Sequence, residues 1–303
     1  MVLRIITGII GIAIAAVLIR IGGTPFAVAG IVLAIVAWLE YCSVFSRAGV
    51  STTYIVGAIP LVLMLCCAWL GNFEELLGAL TLGTIAIFLL MILFGLRPAD
   101  ACVSVAGLIY IGMPFVHLIL LRFLTDDRMP SDESFADVKI LPDISENIAA
   151  LMTNFDLANV QAMFNIDIGC KLVWLLFLCT WASDTFAYFV GSAIGNHKIA
   201  PSISPNKTAE GILGSIVGTL FTAVVVGHFL FAFDTTQMLI LGIVMVIAAT
   251  LGDLAESSIK RSAGVKDSGF LIPGHGGVLD RFDSLFFTAP IFYYFAVLTG
   301  LTS

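Results

Sequence analysis

Apolar residues along this chain fall into nine long blocks, near 3–22, 25–46, 52–70, 76–96, 101–122, 172–193, 211–232, 236–256 and 284–301. A helix needs about 20 apolar residues to cross a bilayer. Each block predicts a crossing helix, so the chain reads as an all-α, polytopic integral membrane protein with about nine transmembrane helices. Met1 to Arg4 and Ala13-Ile14-Ala15 resemble parts of a signal peptide, but apolar spans follow at once and a retained first helix is the reading. The connections divide the chain into three regions: five helices with short links over 1–122, an acidic extramembrane segment at 123–170, and four helices over 171–303. Long polar loops are expected at about 194–210 and 257–283.

Composition agrees with this pattern. Only 12% of residues are charged, about half the quarter usual for a soluble domain, which excludes an ordinary soluble globule. The net charge of -7 argues against a nucleic-acid partner, and it is localised: residues 123–170 hold nine acids and two bases. With the N-terminus inside, nine Lys or Arg lie on the inner side and five on the outer, so the two polar loops face the cytoplasm and the acidic segment lies outside. The six cysteines form no CxxC pair and read as small buried hydrophobes, without a disulfide framework or zinc site.

Charged residues inside the later blocks are the candidates for chemistry. A carboxylate at membrane depth costs roughly 2.5–3.5 kcal/mol, so Asp184, Asp253 and Glu256 need a reason to be there. On a helix, Asp253, Glu256, Ser257 and Lys260 share one face, which also permits a plain Glu256–Lys260 ion pair. Beyond them come Arg261, Lys266, His275-Gly276-Gly277, and Asp280-Arg281-Phe282-Asp283. Bases and unhindered glycine amides suit phosphate oxygens, and aspartates at i and i+3 suit a hard cation. The combination reads as a metal–phosphate site. The earlier loop adds Lys198, Ser204, Asn206 and Lys207, with Ser204 or Asn206 also a candidate cap for the next helix. His117 and His228 read as structural residues, whereas His197 and His275 lie in the charged loops. Glu40, and Glu74 with Glu75, read as structural caps or arginine partners. Serine-hydrolase, zincin and P-loop motifs are absent from the sequence, as is DGxxAR.

The run Ser257-Ser258-Ile259-Lys260-Arg261, four residues, Lys266-Asp267-Ser268-Gly269, then Ile272-Pro273-Gly274-His275-Gly276-Gly277-Val278-Leu279-Asp280-Arg281-Phe282-Asp283 resembles the hallmark of phosphatidate cytidylyltransferases, the CDP-diacylglycerol synthases. Ser204-Pro205-Asn206-Lys207-Thr208, with Glu210-Gly211, is similar to the same family. The resemblance implies transfer of CMP from CTP to phosphatidic acid with Mg2+, in a bacterial inner or plasma membrane with the site facing the cytoplasm. It allows a monovalent cation such as K+ beside the Mg2+, and a homodimer. On that reading Asp253, Asp280 and Asp283 hold the metal, with Asp184 in support. Lys260, Arg261 and Lys266 bind phosphates, and Arg281 balances the carboxylates. His275, Gly276 and Gly277 cradle phosphate, while Lys198, Lys207, Asn206, Ser204, Glu256 and Ser257 help hold substrate. A cytidylyltransferase or CTP-dependent kinase for another lipid is the nearest alternative, and an ion-coupled transporter a remote one.

Overall fold

The computed structural model describes residues 2–124, 166–271 and 276–301. All nine apolar blocks are helical in it: α1 (Val2–Ile21), α2 (Gly23–Arg47), α3 (Tyr54–Leu70), α4 (Phe73–Phe94), α5 (Pro98–Arg122), α6 (Ile168–Ile194), α7 (Ala209–Thr222, continued as π-helix over Ala223–Leu230), α8 (Thr235–Ser262) and α10 (Leu285–Thr299). A four-residue helix, α9 (Leu279–Phe282), precedes the last. Six are long and apolar enough to cross a bilayer: α2, α4, α5, α6, α7 with its continuation, and α8. Tyr54–Leu70, Leu285–Thr299 and the stretch Ile6–Ile21 are apolar but shorter.

Local chemistry sets the ends of these helices. The side chains of Asp167, Thr208 and Asp234 accept the backbone N–H three residues on and start α6, α7 and α8. Gly71 and Gly95 end α3 and α4 in the left-handed region, where a side chain would be strained. The cap of α7 is therefore Thr208, not Ser204 or Asn206. Those two lie on strand β2 (Ser204–Thr208), which pairs antiparallel with β1 (Lys198–Ala200). The expected loop at 194–210 is a hairpin, and the expected loop from 257 begins later, because Ser257–Ser262 complete α8.

Helix α5 is the hub, packed against α2, α3, α4, α6 and α10. It is two-thirds buried, whereas the peripheral α4 is 17% buried. Trp38 and Tyr41 of α2 donate to the carbonyls of Tyr54 at 2.8 Å and Val103 at 3.0 Å, fixing α2 to its neighbours. In the second half, α6 and α7 pack backbone to backbone. A Cβ at Gly214 would lie 2.6 Å from the Val190 Cβ, and one at Gly218 would collide with Phe186. At one end of the bundle Arg122 donates to Ile19 O at 2.8 Å and forms a two-pronged pair with Asp167. At the other end lies the site. Most of the acidic segment, including 145–164, falls outside the described residues.

Candidate active site

Four elements meet at that end: the last turns of α8, the β1–β2 hairpin, the C-terminal half of α6, and the described residues 268–271 and 276–284, which include α9. Gly252 allows one of these close approaches. A Cβ there would stand 2.7 Å from the Asp283 carbonyl oxygen and 3.0 Å from that of Ser284. The helical register of α8 then presents Asp253, Glu256, Ser257 and Lys260 together.

Two lysine–carboxylate groups result. In the first, Lys207 reaches from β2 to Asp253 Oδ2 at 2.7 Å and donates to Thr250 O at 3.1 Å. Ser257 Oγ donates to Asp253 Oδ1 at 3.3 Å. In the second, Lys260 Nζ lies 2.6 Å from Glu256 Oε2, an ion-pair contact outside hydrogen-bonding direction, and donates to Asp280 Oδ1 at 2.8 Å. Asp280 also accepts from the amides of Ser268 and Gly277 at 3.0 and 2.8 Å. Burial alone would raise the Asp280 carboxyl, but the Lys260 hydrogen bond, the Gly277 amide and the Lys260 charge hold it below the usual carboxylate range. Glu256 is fully buried, and neither of its oxygens has a hydrogen-bond donor among the described residues.

Asp283 and Asp184 occupy the floor. Asp283 accepts from the Ser284 amide at 2.6 Å, and Ser284 Oγ donates to Asp184 at 3.3 Å. Burial, and next the charge of Asp253, push the Asp283 carboxyl up to about 6. Such crowding of acids is what a hard cation with oxygen ligands relieves. Among the described residues no three His, Cys, Asp or Glu side chains already converge as a metal cluster. The donors suit a cation that takes one or two carboxylates and completes its shell with water and phosphate.

The remaining candidates lie around this centre. Arg261 donates to the carbonyls of Ile203 and Val265 at 3.4 and 3.3 Å, tying α8 to the hairpin. Lys198, Asn206, Lys266 and Arg281 are exposed, and Ser204 is half-buried. Gly277 is buried and Gly276 half-buried beside Asp280, while His275 lies outside the described residues. His197 pairs with Glu210 at 2.6 Å, and Glu210 also accepts the amides of Asn196 and His197, which pins the hairpin base. His117 and His228 donate to the carbonyls of Met113 and Phe233. One residue at the site was not expected there. Glu40 of α2 accepts the amides of Val278 and Leu279 at 3.0 and 2.8 Å. A lone acid in an apolar run carries no spacing signal that would have linked it to a loop over 200 residues away.

A helical membrane bundle that gathers acids, lysines and open amides at one end has the construction of a membrane enzyme for phosphate-bearing substrates. The comparison with known proteins makes this specific. The chain belongs to the cytidylyltransferase family, whose pattern matches residues 2–299. It is 34% identical over 300 residues to a phosphatidate cytidylyltransferase of Synechocystis, covering 97% of this chain and 96% of that protein. Over 132 residues it is 46% identical to the phosphatidate cytidylyltransferase of Haemophilus influenzae, 42% of this chain and 46% of that one. It is also 41% identical over 150 residues to the uncharacterized protein YnbB of Escherichia coli, covering 48% of this chain. In these two shorter matches the chain spans about half the relative's length.

Proposed function

We propose that this enzyme transfers CMP from CTP to phosphatidic acid, leaving CDP-diacylglycerol in the membrane and releasing pyrophosphate. The observation that carries the reading is the set of Lys207–Asp253 and Lys260–Asp280 pairs, which join the two signature runs to α8, in a chain that aligns almost end to end with a phosphatidate cytidylyltransferase. A lipid phosphate oxygen attacks the α-phosphorus of CTP, and the bond from that phosphorus to the bridging oxygen of pyrophosphate breaks. The second pKa of a phosphate monoester is about 6, so the nucleophile is largely ionised at neutral pH and needs no strong base. The difficulty is to join two polyanions and to stabilise the departing charge.

A bound Mg2+ would supply that stabilisation by polarising phosphate oxygens, held by Asp253, Asp280 and Asp283 with Asp184 behind them. The protein's own cations do the rest. Lys266 and Lys198 are exposed and draw the substrates' phosphates. Lys207 is shared between Asp253 and a carbonyl, which places its ammonium within the site to meet a substrate phosphate. Lys260, committed to two acids, fixes the position of Asp280 and reaches a phosphate by exchanging one of them. The acyl chains stay in the bilayer, and the site faces the cytoplasm of a bacterial membrane.

The test is direct. Detergent-purified protein incubated with labelled CTP, Mg2+ and phosphatidic acid should form lipid-linked CMP and pyrophosphate in equal amounts. A lipid product carrying phosphate but no cytidine would make it a kinase and overturn the reading, as would the absence of any lipid product.

A further inference from the structure

The loop that carries Asp280 is closed around two carboxylates, and only one of them lies in the signature. Asp280 takes the amides of Ser268 and Gly277. Glu40, from the first half of the chain, takes the amides of Val278 and Leu279 and the Ser268 hydroxyl, the last at 3.4 Å. The two acids thus meet at Ser268 and share the run of amides from Gly277 to Leu279. Space at this point is arranged for the Glu40 side chain. A Cβ at Gly269 would fall 2.5 Å from Glu40 Oε1, and one at Gly277 would collide with its carboxylate. Both glycines therefore make room for an acid from another helix. Glu40 is itself rigidly based, since Trp38 and Tyr41 on the same turn of α2 are hydrogen-bonded to Tyr54 and Val103. It is only 8% exposed, so its charge is compensated by these donors and not by water.

We infer that Glu40 is the positioning residue of the active-site loop: it fixes where Asp280 stands relative to Lys260 and the metal-binding acids. What the loop does rests on the cytidylyltransferase reading, but how the loop is held does not. Glu40 touches no reacting atom. It acts through the Gly277–Asp280 backbone, and a small misplacement of a catalytic group can cost about 100-fold in rate.

The test compares the full-length chain in detergent with Glu40→Gln and Glu40→Ala variants. CDP-diacylglycerol formation should fall about 100-fold, and the Mg2+ concentration for half-maximal rate should rise about 10-fold. Gly277→Ala should reproduce this shift, yet add little on top of Glu40→Ala, because the three atoms nearest its Cβ all belong to the Glu40 carboxylate. Hydrogen exchange of the peptide spanning 268–280 should accelerate in both Glu40 variants. A purely architectural glutamate would lower the folded fraction and leave the Mg2+ dependence of the remainder unchanged; that result overturns the inference. So does unaltered exchange at 268–280. If the parent protein made no lipid-linked CMP, the functional reading would fall, while the exchange result would still decide the role of Glu40.

Discussion

Lys260 stands between two acids that are themselves buried, with 13% of its side chain exposed against 0% for Glu256 and 6% for Asp280. Removing one partner from such a group leaves uncompensated charge and costs about 3–5 kcal/mol. Lys260→Met should therefore lower the thermal midpoint by several degrees, and Glu256→Gln added to it should recover part of the loss. Circular-dichroism melts in detergent check this, and an unchanged midpoint for Lys260→Met would show that the lysine serves substrate alone. Asp253→Asn tests the neighbouring group. It keeps the shape that Lys207 and Ser257 contact but removes the charge a cation needs, so the Mg2+ requirement should rise about 10- to 100-fold with little loss of stability. Near-normal turnover with unaltered Mg2+ dependence would remove Asp253 from the metal site. These residues were legible in the sequence because helix periodicity alone aligns 253, 256, 257 and 260, and the 257–283 motif is dense. Glu40 was not, since its partners lie 228 to 239 positions away and only folding joins them.

At the scale of elements, close backbone approach decides where the hairpin sits. Gly195 ends α6 beside Thr208, and a Cβ there would collide with the Gly191 carbonyl oxygen and stand 2.6 Å from Thr208 Oγ1. The first obstacle is backbone and cannot swing aside. Gly195→Ala should therefore destabilise by about 1–3 kcal/mol and raise the KM for CTP, because Lys207 rides on the displaced strand. Gly78→Ala is the control: nothing lies within 4 Å of its Cβ, so in mid-helix it should be neutral or stabilising by up to about 1 kcal/mol. Equal melting behaviour of the two variants would refute the packing argument. The helices themselves were readable, since apolar block length reports burial in lipid or protein directly. The hairpin was not, because Ser-Pro-Asn-Lys-Thr has the composition of a turn and acquires strand pairing only across a five-residue β2. The end of α8 is partly legible: the shared face of 253, 256, 257 and 260 carries the helix past 257, while the charges that follow have the composition of a loop.

The whole molecule has two chemically different ends. At one, Arg122 joins the ends of α1 and α5 to the start of α6, and Gln237 of α8 donates to Thr299 O of α10 at 2.8 Å. The acidic segment departs and returns at this end, carrying nine acids and two bases, the whole of the chain's -7. At the other end lie the lysine–carboxylate pairs, in a remainder of balanced charge where two polyanions must be accommodated. The excess of Lys and Arg at the site end predicts that this end is cytoplasmic. Introduced cysteines can decide it, after Cys102, which is exposed, and Cys66 and Cys67, which are half-buried, are changed to serine. Lys198→Cys and Lys266→Cys, both exposed at the site end, should react with a membrane-impermeant maleimide only after cells are permeabilised. Thr236→Cys, exposed at the opposite end, should react in intact cells once any outer barrier is opened. A thermal midpoint equal to the parent's in each variant would certify the fold being labelled. The reverse labelling pattern would put the site on the outer face, away from cytoplasmic CTP, and overturn the orientation.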